Sequence, residues 1–94
     1  MPWKTNPKTL FLKAGEAKQI AVSFGDNWIG PQFMQALHDE FSSGGSGAQI
    51  LVMQWHGVAN EVVFGGPSKK YYVCGVHNAG NTDVSFHLEG GNVA

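Results

Sequence analysis

The densest group of side chains able to bind a ligand lies between residues 77 and 83. The stretch carries an imidazole, two amides, a hydroxyl and a carboxylate: His77, Asn78, Asn81, Thr82 and Asp83. A loop between two strands would hold these donors and acceptors in fixed positions. The same residue types are also common in tight turns, because they tolerate left-handed backbone and bond locally. The stretch is a candidate binding loop that turn chemistry alone would also explain.

Sugar recognition is the chemistry that such a loop fits best. A sugar needs polar groups for its hydroxyls and an aromatic ring against which its C–H face can pack. Trp28, Trp55 and Tyr71 are the candidate platforms. In so small a domain, at least two of the three tryptophans are expected to pack inside. We therefore expect one tryptophan, Trp55 or Trp28, to serve as the platform.

A second chemistry follows from the spacing of Cys74 and His77. The Cys-x-x-His run is similar to the end of the cupredoxin copper site, where thiolate and imidazole bind copper on a β-sandwich. His56 or His87 would have to complete the ligand set. The methionine usually found shortly after that histidine is missing, so a buried apolar Cys74 is the favoured expectation.

Enzymatic chemistry would need a nucleophile, a base and an orienting acid that fold together. The one dense titratable cluster is His38-Asp39-Glu40, which we expect on the solvated side of a short helix. The sequence contains no Gly-x-Ser-x-Gly elbow, phosphate-binding loop or His-Glu-x-x-His pattern. The sequence therefore predicts a protein that is not an enzyme.

The amino-acid composition limits which other classes of protein are expected. Ninety-four residues suit one domain with one core, and 43% of them are hydrophobic but only 14% charged. Six basic and seven acidic residues give a net charge of -1, without the clustered Lys and Arg that bind a phosphate backbone. We expect no nucleic-acid partner and, since the apolar stretches are strand-sized, no membrane span. The low charge favours a homo-oligomer.

The cellular compartment is predicted from the N-terminus and the cysteine count. Residues Met1 to Lys4 show neither the charged region nor the apolar run of a signal peptide. Cys74 is the only cysteine, so no disulfide within the chain is possible. Both features predict a cytoplasmic protein, or one released without a visible signal peptide.

Short strands separated by turns must position these residues. Leu10 to Leu12 and the alternating run Gln19 to Phe24 predict the first two. Ile50 to Trp55 is apolar on both faces, which is typical of a central strand covered on both sides. Tyr71 to Val76 and Val84 to Leu88 predict a C-terminal hairpin across the candidate loop.

One helix is expected between the early strands and the central one. Phe33, Met34, Leu37 and Phe41 share a helical face, and Pro31 suits a first turn, so the spacing predicts a short helix around residues 31–41. It ends in the flexible stretch 42–47, which is a natural loop or an engineered linker.

Two short segments resemble a known family. Gly44-Gly45-Ser46-Gly47, followed by Gly75-Val76-His77-Asn78, is similar to the order of such segments in the fungal fruit-body lectins, relatives by fold of the actinoporins. The resemblance implies that Ser46, Gly47, His77 and Asn78 contact galactose-type sugars. It also implies a disulfide-free cytoplasmic lectin.

The sequence as a whole predicts one all-β domain over residues 1–94, a small antiparallel β-sandwich with one short helix. The predicted function is non-enzymatic carbohydrate binding by a homo-oligomer that needs no cofactor, with a calcium site left open. The alternatives are a structural or assembly subunit and a cupredoxin-like copper protein. The predicted ligand-binding residues are Ser46, Gly47, Trp55, His77, Asn78 and Asp83, and the possible calcium ligands are Asp26, Asn81 and Asp83.

Overall fold

The computed structural model describes residues 2–23, 30–39, 47–62, 64–66 and 68–93, whose regular structure is entirely β-strand. The strands are β1 (Trp3–Lys4), β2 (Leu10–Leu12), β3 (Ala17–Val22), β4 (Gln32–His38), β5 (Leu51–Glu61), β6 (Lys69–Asn78) and β7 (Val84–Asn92). The described residues contain no helix of the length and hydrophobicity that crossing a membrane requires.

The strands form two antiparallel sheets. In the four-stranded sheet, β7 pairs with β4 along one side and with β1 and β2 in succession along the other. In the three-stranded sheet, β6 lies between β3 and β5. The predicted all-β, antiparallel class is confirmed.

One hydrophobic core lies between the two sheets. Strand β7 buries every second residue, Val84, Phe86 and Leu88, and β6 does the same with Cys74 and Val76. These five side chains belong to one cluster, together with Leu12 and Ala36. Because its members come from both sheets, the two sheets pack by their inner faces.

The predicted helix around residues 31–41 is wrong over its described part. Residues 32–38 form β4, which pairs with β7 from Gln32 opposite Asn92 to His38 opposite Phe86. Burial alternates along the strand, since Ala36 is buried while Phe33 is 57% exposed. Pairing with β7 satisfies the backbone groups of the segment at the edge of the sheet, and this long-range interaction overrides the helical spacing of the hydrophobic residues.

The predicted C-terminal hairpin is also wrong, because β6 and β7 belong to different sheets. Both strands bury one apolar face, and the residues between them carry the chain from one sheet to the other. Val76 and Phe86 thus meet in the core cluster and do not lie on adjacent paired strands. The alternating pattern predicts a strand with one buried face, but it does not identify the neighbouring strand.

The expected central strand from Ile50 to Trp55 forms the start of β5, which lies at the edge of the three-stranded sheet. Its outward hydrophobic side chains remain accessible: Val52 is 41% exposed and Trp55 44% exposed. The apolar outer side of this strand is therefore open to solvent and available for binding.

Candidate functional site

An exposed tryptophan lies on the outer face of the three-stranded sheet. Trp55 is opposite Gly75 in the pairing of β5 with β6. A Cβ built on Gly75 would lie 2.7 Å from the indole Cε2 and 3.0 Å from Cδ1, so the ring fills the space that a side chain at this position would need. One side of the indole rests on the glycine backbone, and the residue remains 44% exposed. The arrangement forms an aromatic surface open to solvent.

A β-bulge turns Trp55 outward. Met53 is opposite Val76 and packs against the core, whereas Trp55 is opposite Gly75, so the register shifts by one residue between them. In an unbroken strand, residues 53 and 55 would point to the same side. Gln54 is the extra residue of the bulge, and the bulge moves the next side chain to the other face.

His77 lies beside this platform. It follows Gly75 by two residues on β6 and therefore points to the same face. The residue is half-buried and lies between Ala17 of β3 and Val52 of β5. Trp55 and His77 are thus diagonal neighbours, which in sheets are typically roughly 7–8 Å apart and within reach of aromatic side chains.

The third polar group near the platform is the amide of Gln19. It is opposite Gly75 on β3, so Trp55, Gly75 and Gln19 form a row across the three strands. Gln19 is exposed. Sequence reasoning missed this residue, because only the strand register places it beside Trp55. The other positions around the ring carry uncharged side chains: Ala17, Ala21, Val52 and Val73.

The predicted loop residues lie at one end of the sheets, where the segment before β5 meets the segment before β7. The Ala48 N–H donates to Asn81 Oδ1 at 2.9 Å, and the Asn81 N–H donates to the Ala48 carbonyl at 3.0 Å. Gly47 adjoins Thr82, whose hydroxyl occupies the place of a Cβ at position 47. The structure therefore brings Gly47 next to the candidate loop, while Ser46, Asp26 and Trp28 lie outside the described residues.

Asn78 organises this loop from within. Its side chain is fully buried. Its Nδ2 donates to the carbonyls of Thr82 at 2.8 Å and Leu12 at 3.4 Å, and its Oδ1 accepts from the Gly80 N–H at 3.0 Å. The amide is thus used within the protein and is not accessible to a ligand. We assign Asn78 a role in stabilising the loop.

Asp83 is exposed and lies at the loop end, just before β7. Its Oδ1 accepts from the Ala14 N–H at 3.0 Å, which ties the turn between β2 and β3 to the start of β7. The predicted residues thus form two groups: Trp55 and His77 lie on the sheet face, and Gly47, Asn78 and Asp83 lie at the loop end.

The copper alternative fails on geometry. Cys74 points into the core and is fully buried, whereas His77, three residues later, points outward. Residues separated by three in a strand lie on opposite faces, so this pair cannot bind one ion. In the part of the chain that the structure describes, no group of three or more His, Cys, Asp or Glu residues could hold a metal ion.

The buried position of Cys74 predicts a protected thiol. Burial raises the pKa of the Cys74 thiol, and only the thiolate reacts rapidly with disulfide reagents. We expect the folded protein to react with Ellman's reagent at least about tenfold more slowly than the unfolded protein in denaturant. Equal rates in the two states would show that Cys74 is accessible.

A charged network occupies the outer face of the four-stranded sheet. The Asp39 side chain is 1% exposed and accepts from the Ser85 hydroxyl, from the Lys8 N–H at 2.8 Å and from His87 Nδ1 at 2.9 Å. His87 Nε2 lies 2.6 Å from Glu89 Oε2. When both carboxylates are ionised, each ring nitrogen donates to one of them, which is the imidazolium form of His87.

The pKa shifts agree with that geometry. Burial alone would raise the pKa of Asp39, but hydrogen bonds from Ser85, His87 and Lys8 outweigh it and hold this pKa below its usual value. The hydrogen bond to Glu89 is the largest cause that raises the pKa of His87, burial opposes it, and Asp39 adds to the rise.

The network is organised differently from a catalytic triad. Ser85 donates to Asp39 and not to His87, so the imidazole is not positioned to take the serine proton as it is in a triad. The sequence predicted Asp39 on the solvated side of a helix and left His87 as a possible copper ligand. In the structure, the two residues join the end of β4 to β7, which identifies the network as a structural clamp.

Comparison with known proteins adds no further constraint on this site. No protein-family model, curated protein or solved structure matches the chain. The function of the site must therefore be inferred from its own geometry.

Proposed function

We propose that this protein is a non-enzymatic, lectin-like carbohydrate-binding module that binds galactose-type sugars on the outer face of the three-stranded sheet. One observation carries the proposal: the indole of Trp55 rests on Gly75 with one side and is open to solvent on the other. A flat aromatic surface of this kind suits the C–H face of a pyranose. The two sheets would serve as the layers of a small β-sandwich.

The polar neighbours of the ring suit the same ligand. Gln19 continues the Trp55–Gly75 row on β3, and His77 follows Gly75 on the same face of β6. Both supply donors and acceptors for sugar hydroxyls. In a galactose-type ring, the axial hydroxyl at C4 leaves several C–H groups exposed on one side, and that side would pack on the indole. The face is open and shallow, so we expect a dissociation constant on the order of millimolar for one sugar.

The segment that resembles the fungal lectins contributes two parts of this site. Gly75 leaves room for the indole, and His77 supplies the neighbouring imidazole. A homo-oligomer would increase the avidity of such weak sites by presenting several of them together. The resemblance therefore supports the ligand class, and the expected weakness of a single site favours the proposed assembly.

A structural or assembly subunit is the second candidate, and the same face favours it. The positions around Trp55 are uncharged, and Val52 and Trp55 are both more than two-fifths exposed. Exposed apolar surface of this kind also marks protein–protein contacts. An assembly subunit would lose its oligomeric state on substitution of Trp55 and would show no dependence on glycans.

A glycan-array screen of the wild type beside Trp55→Ala and His77→Ala tests the proposal. We expect the wild type to bind a narrow set of galactose-containing glycans, and both substitutions to weaken binding at least about tenfold, which corresponds to 1.4 kcal/mol. Gly75→Ala keeps both side chains but places a methyl group where the indole lies, so it should weaken binding as well.

The control is Val58→Ala, which removes a 55% exposed side chain from the same strand but is opposite the inward residue Tyr72. Circular dichroism checks the folding of each variant, and size-exclusion chromatography with light scattering gives its mass. Unchanged glycan binding by a folded Trp55→Ala protein would refute the proposed site. Loss of assembly without any glycan binding would establish the second candidate.

A further inference from the structure

We propose a second carbohydrate site on the same chain, in a cleft beside Phe11 at the edge of the four-stranded sheet. Its ligand class rests on the proposed function, but its position does not. The cleft has a volume of about 380 Å³ and lies where β2, the turn after it and the segments before β5 and β7 converge. The side chains that line it include Phe11, Lys13, Glu16, Lys18, Gln49 and Asp83.

Phe11 provides the aromatic wall of the cleft. Its neighbours Leu10 and Leu12 pack in or against the core, so Phe11 points away from it. The residue is 55% exposed. A phenyl ring that is held by a strand and open to solvent can accept the C–H face of a sugar ring.

Two cleft side chains are held in place by the backbone of β2 and of the turn that follows it. Lys18 Nζ donates to the Phe11 carbonyl at 3.0 Å, which holds the ammonium at the backbone of β2. Glu16 Oε1 accepts from the Lys13 N–H at 3.0 Å. Each group keeps further capacity, since an ammonium has three hydrogens and a carboxylate has two oxygens.

On the opposite wall of the cleft, side chains are also held by hydrogen bonds to backbone atoms. Asp83 Oδ1 accepts from the Ala14 N–H at 3.0 Å, and Gln49 Nε2 donates to the Asp83 carbonyl at 2.8 Å. Donors and acceptors therefore line the same cleft as Phe11, in positions set by four hydrogen bonds to backbone atoms. Such preorganisation lowers the entropic cost of binding.

The charges around the cleft favour a neutral, hydroxylated ligand. Lys13 and Lys18 oppose Glu16 and Asp83, so the formal charges cancel. An anion or a cation would be attracted by one pair and repelled by the other, whereas hydroxyl groups can donate to the carboxylates and accept from the ammonium groups. The volume lies near the lower end of the roughly 300–1,000 Å³ typical of small-molecule sites, which fits one or two sugar units.

The two sites would make a single chain bivalent. Trp55 points outward from the three-stranded sheet and Phe11 from the four-stranded sheet, on opposite sides of the shared core. One sugar ring cannot contact both aromatic surfaces. A chain with two such sites can bridge two glycans without forming an oligomer, and it gains avidity on a surface that displays many of them.

NMR titration of the ¹⁵N-labelled protein with methyl β-galactopyranoside tests the second site. In the wild type, we expect saturable shifts both around Trp55 and around Asp83 and Gln49, with two ligands bound per chain. Phe11→Ala should weaken binding at the cleft at least tenfold and leave the Trp55 shifts unchanged. The matched control is Phe33→Ala, because Phe33 is 57% exposed and lies on β4, away from the cleft.

The variants separate this inference from the proposed function. If Phe11→Ala binds like the wild type while Trp55→Ala loses all shifts, the cleft is not a sugar site and the sheet face is. If Trp55→Ala binds like the wild type while Phe11→Ala loses all shifts, the cleft stands and the sheet-face proposal fails. A titration without saturable shifts in either region overturns both.

Discussion

Asn78→Ala is expected to lower the free energy of unfolding by about 2–4 kcal/mol. The substitution removes a fully buried amide and leaves the carbonyls of Thr82 and Leu12 and the N–H of Gly80 without this partner. An unsatisfied buried polar group costs about 1–3 kcal/mol. The cost should be large because the loop and the end of β2 are joined through this one side chain.

Urea unfolding of Asn78→Ala beside Asn60→Ala measures the effect. Asn60 is an exposed residue of β5, so the same chemical change there should alter stability by no more than about 0.5 kcal/mol. Equal stability of the two variants would contradict the structural role that we assign to Asn78. Glycan binding by the folded fraction of Asn78→Ala would separate this role from direct sugar contact.

The sequence predicted individual strands better than their partners. The alternation from Gln19 to Phe24 and over residues 84–88 depends on burial of one face. The structure confirms a strand over residues 19–22, within β3, and over residues 84–88, within β7, while Phe24 lies outside the described residues. The helix prediction for residues 32–38 is wrong because their hydrophobic residues fit a helical period, while their strand conformation depends on pairing with β7, about 50 to 60 residues later. A local hydrophobic pattern carries no information about this long-range strand pairing.

For the candidate site too, residue types could be read from the sequence but their spatial neighbours could not. Trp55 and His77 were selected by residue type, and the structure brings them onto one face. Simple alternation placed Trp55 on the side of Met53, and only the bulge at Gln54 reverses this. Gln19 could not be selected without the strand register. Asn78 has a side-chain amide that could either contact a ligand or stabilise the loop. Its burial decides for loop stabilisation, and the sequence alone does not reveal that burial.

A second large effect is expected in the pH dependence of stability. His87 lies between Asp39 and Glu89, with Lys4 and Lys8 lining the adjacent cavity of about 530 Å³. Its pKa is raised in the folded state, chiefly by the hydrogen bond to Glu89. The stabilisation by this group is therefore fully present below the unfolded pKa of about 6.5 and is lost as the pH rises through the higher folded pKa. Asp39 has the opposite sign: its pKa is lowered, so its contribution is lost as the pH falls through that lowered pKa.

His87→Gln should remove the part of the pH dependence of stability that comes from His87. At about pH 6, we expect the variant to be about 1–3 kcal/mol less stable than the wild type, because Asp39 loses a charged hydrogen-bond donor at a buried position. The difference should shrink as the pH rises to about 8.5, since deprotonation of His87 weakens the same bonds in the wild type. Urea unfolding at several pH values gives both quantities, and His56→Gln is the matched control because it removes an exposed imidazole from β5.

The two variants distinguish a charged clamp from simple packing. If His87 only fills space, His87→Gln will lower stability by the same amount at every pH, and the imidazolium interpretation will be wrong. If the clamp depends on charge, the curves for His87→Gln and the wild type will converge with rising pH, while His56→Gln will follow the wild type. Convergence would also show that a charge on His87 adds to the backbone pairing of β4 with β7 and that this contribution weakens as the pH rises, which places a pH-sensitive contact on the sheet that carries Phe11.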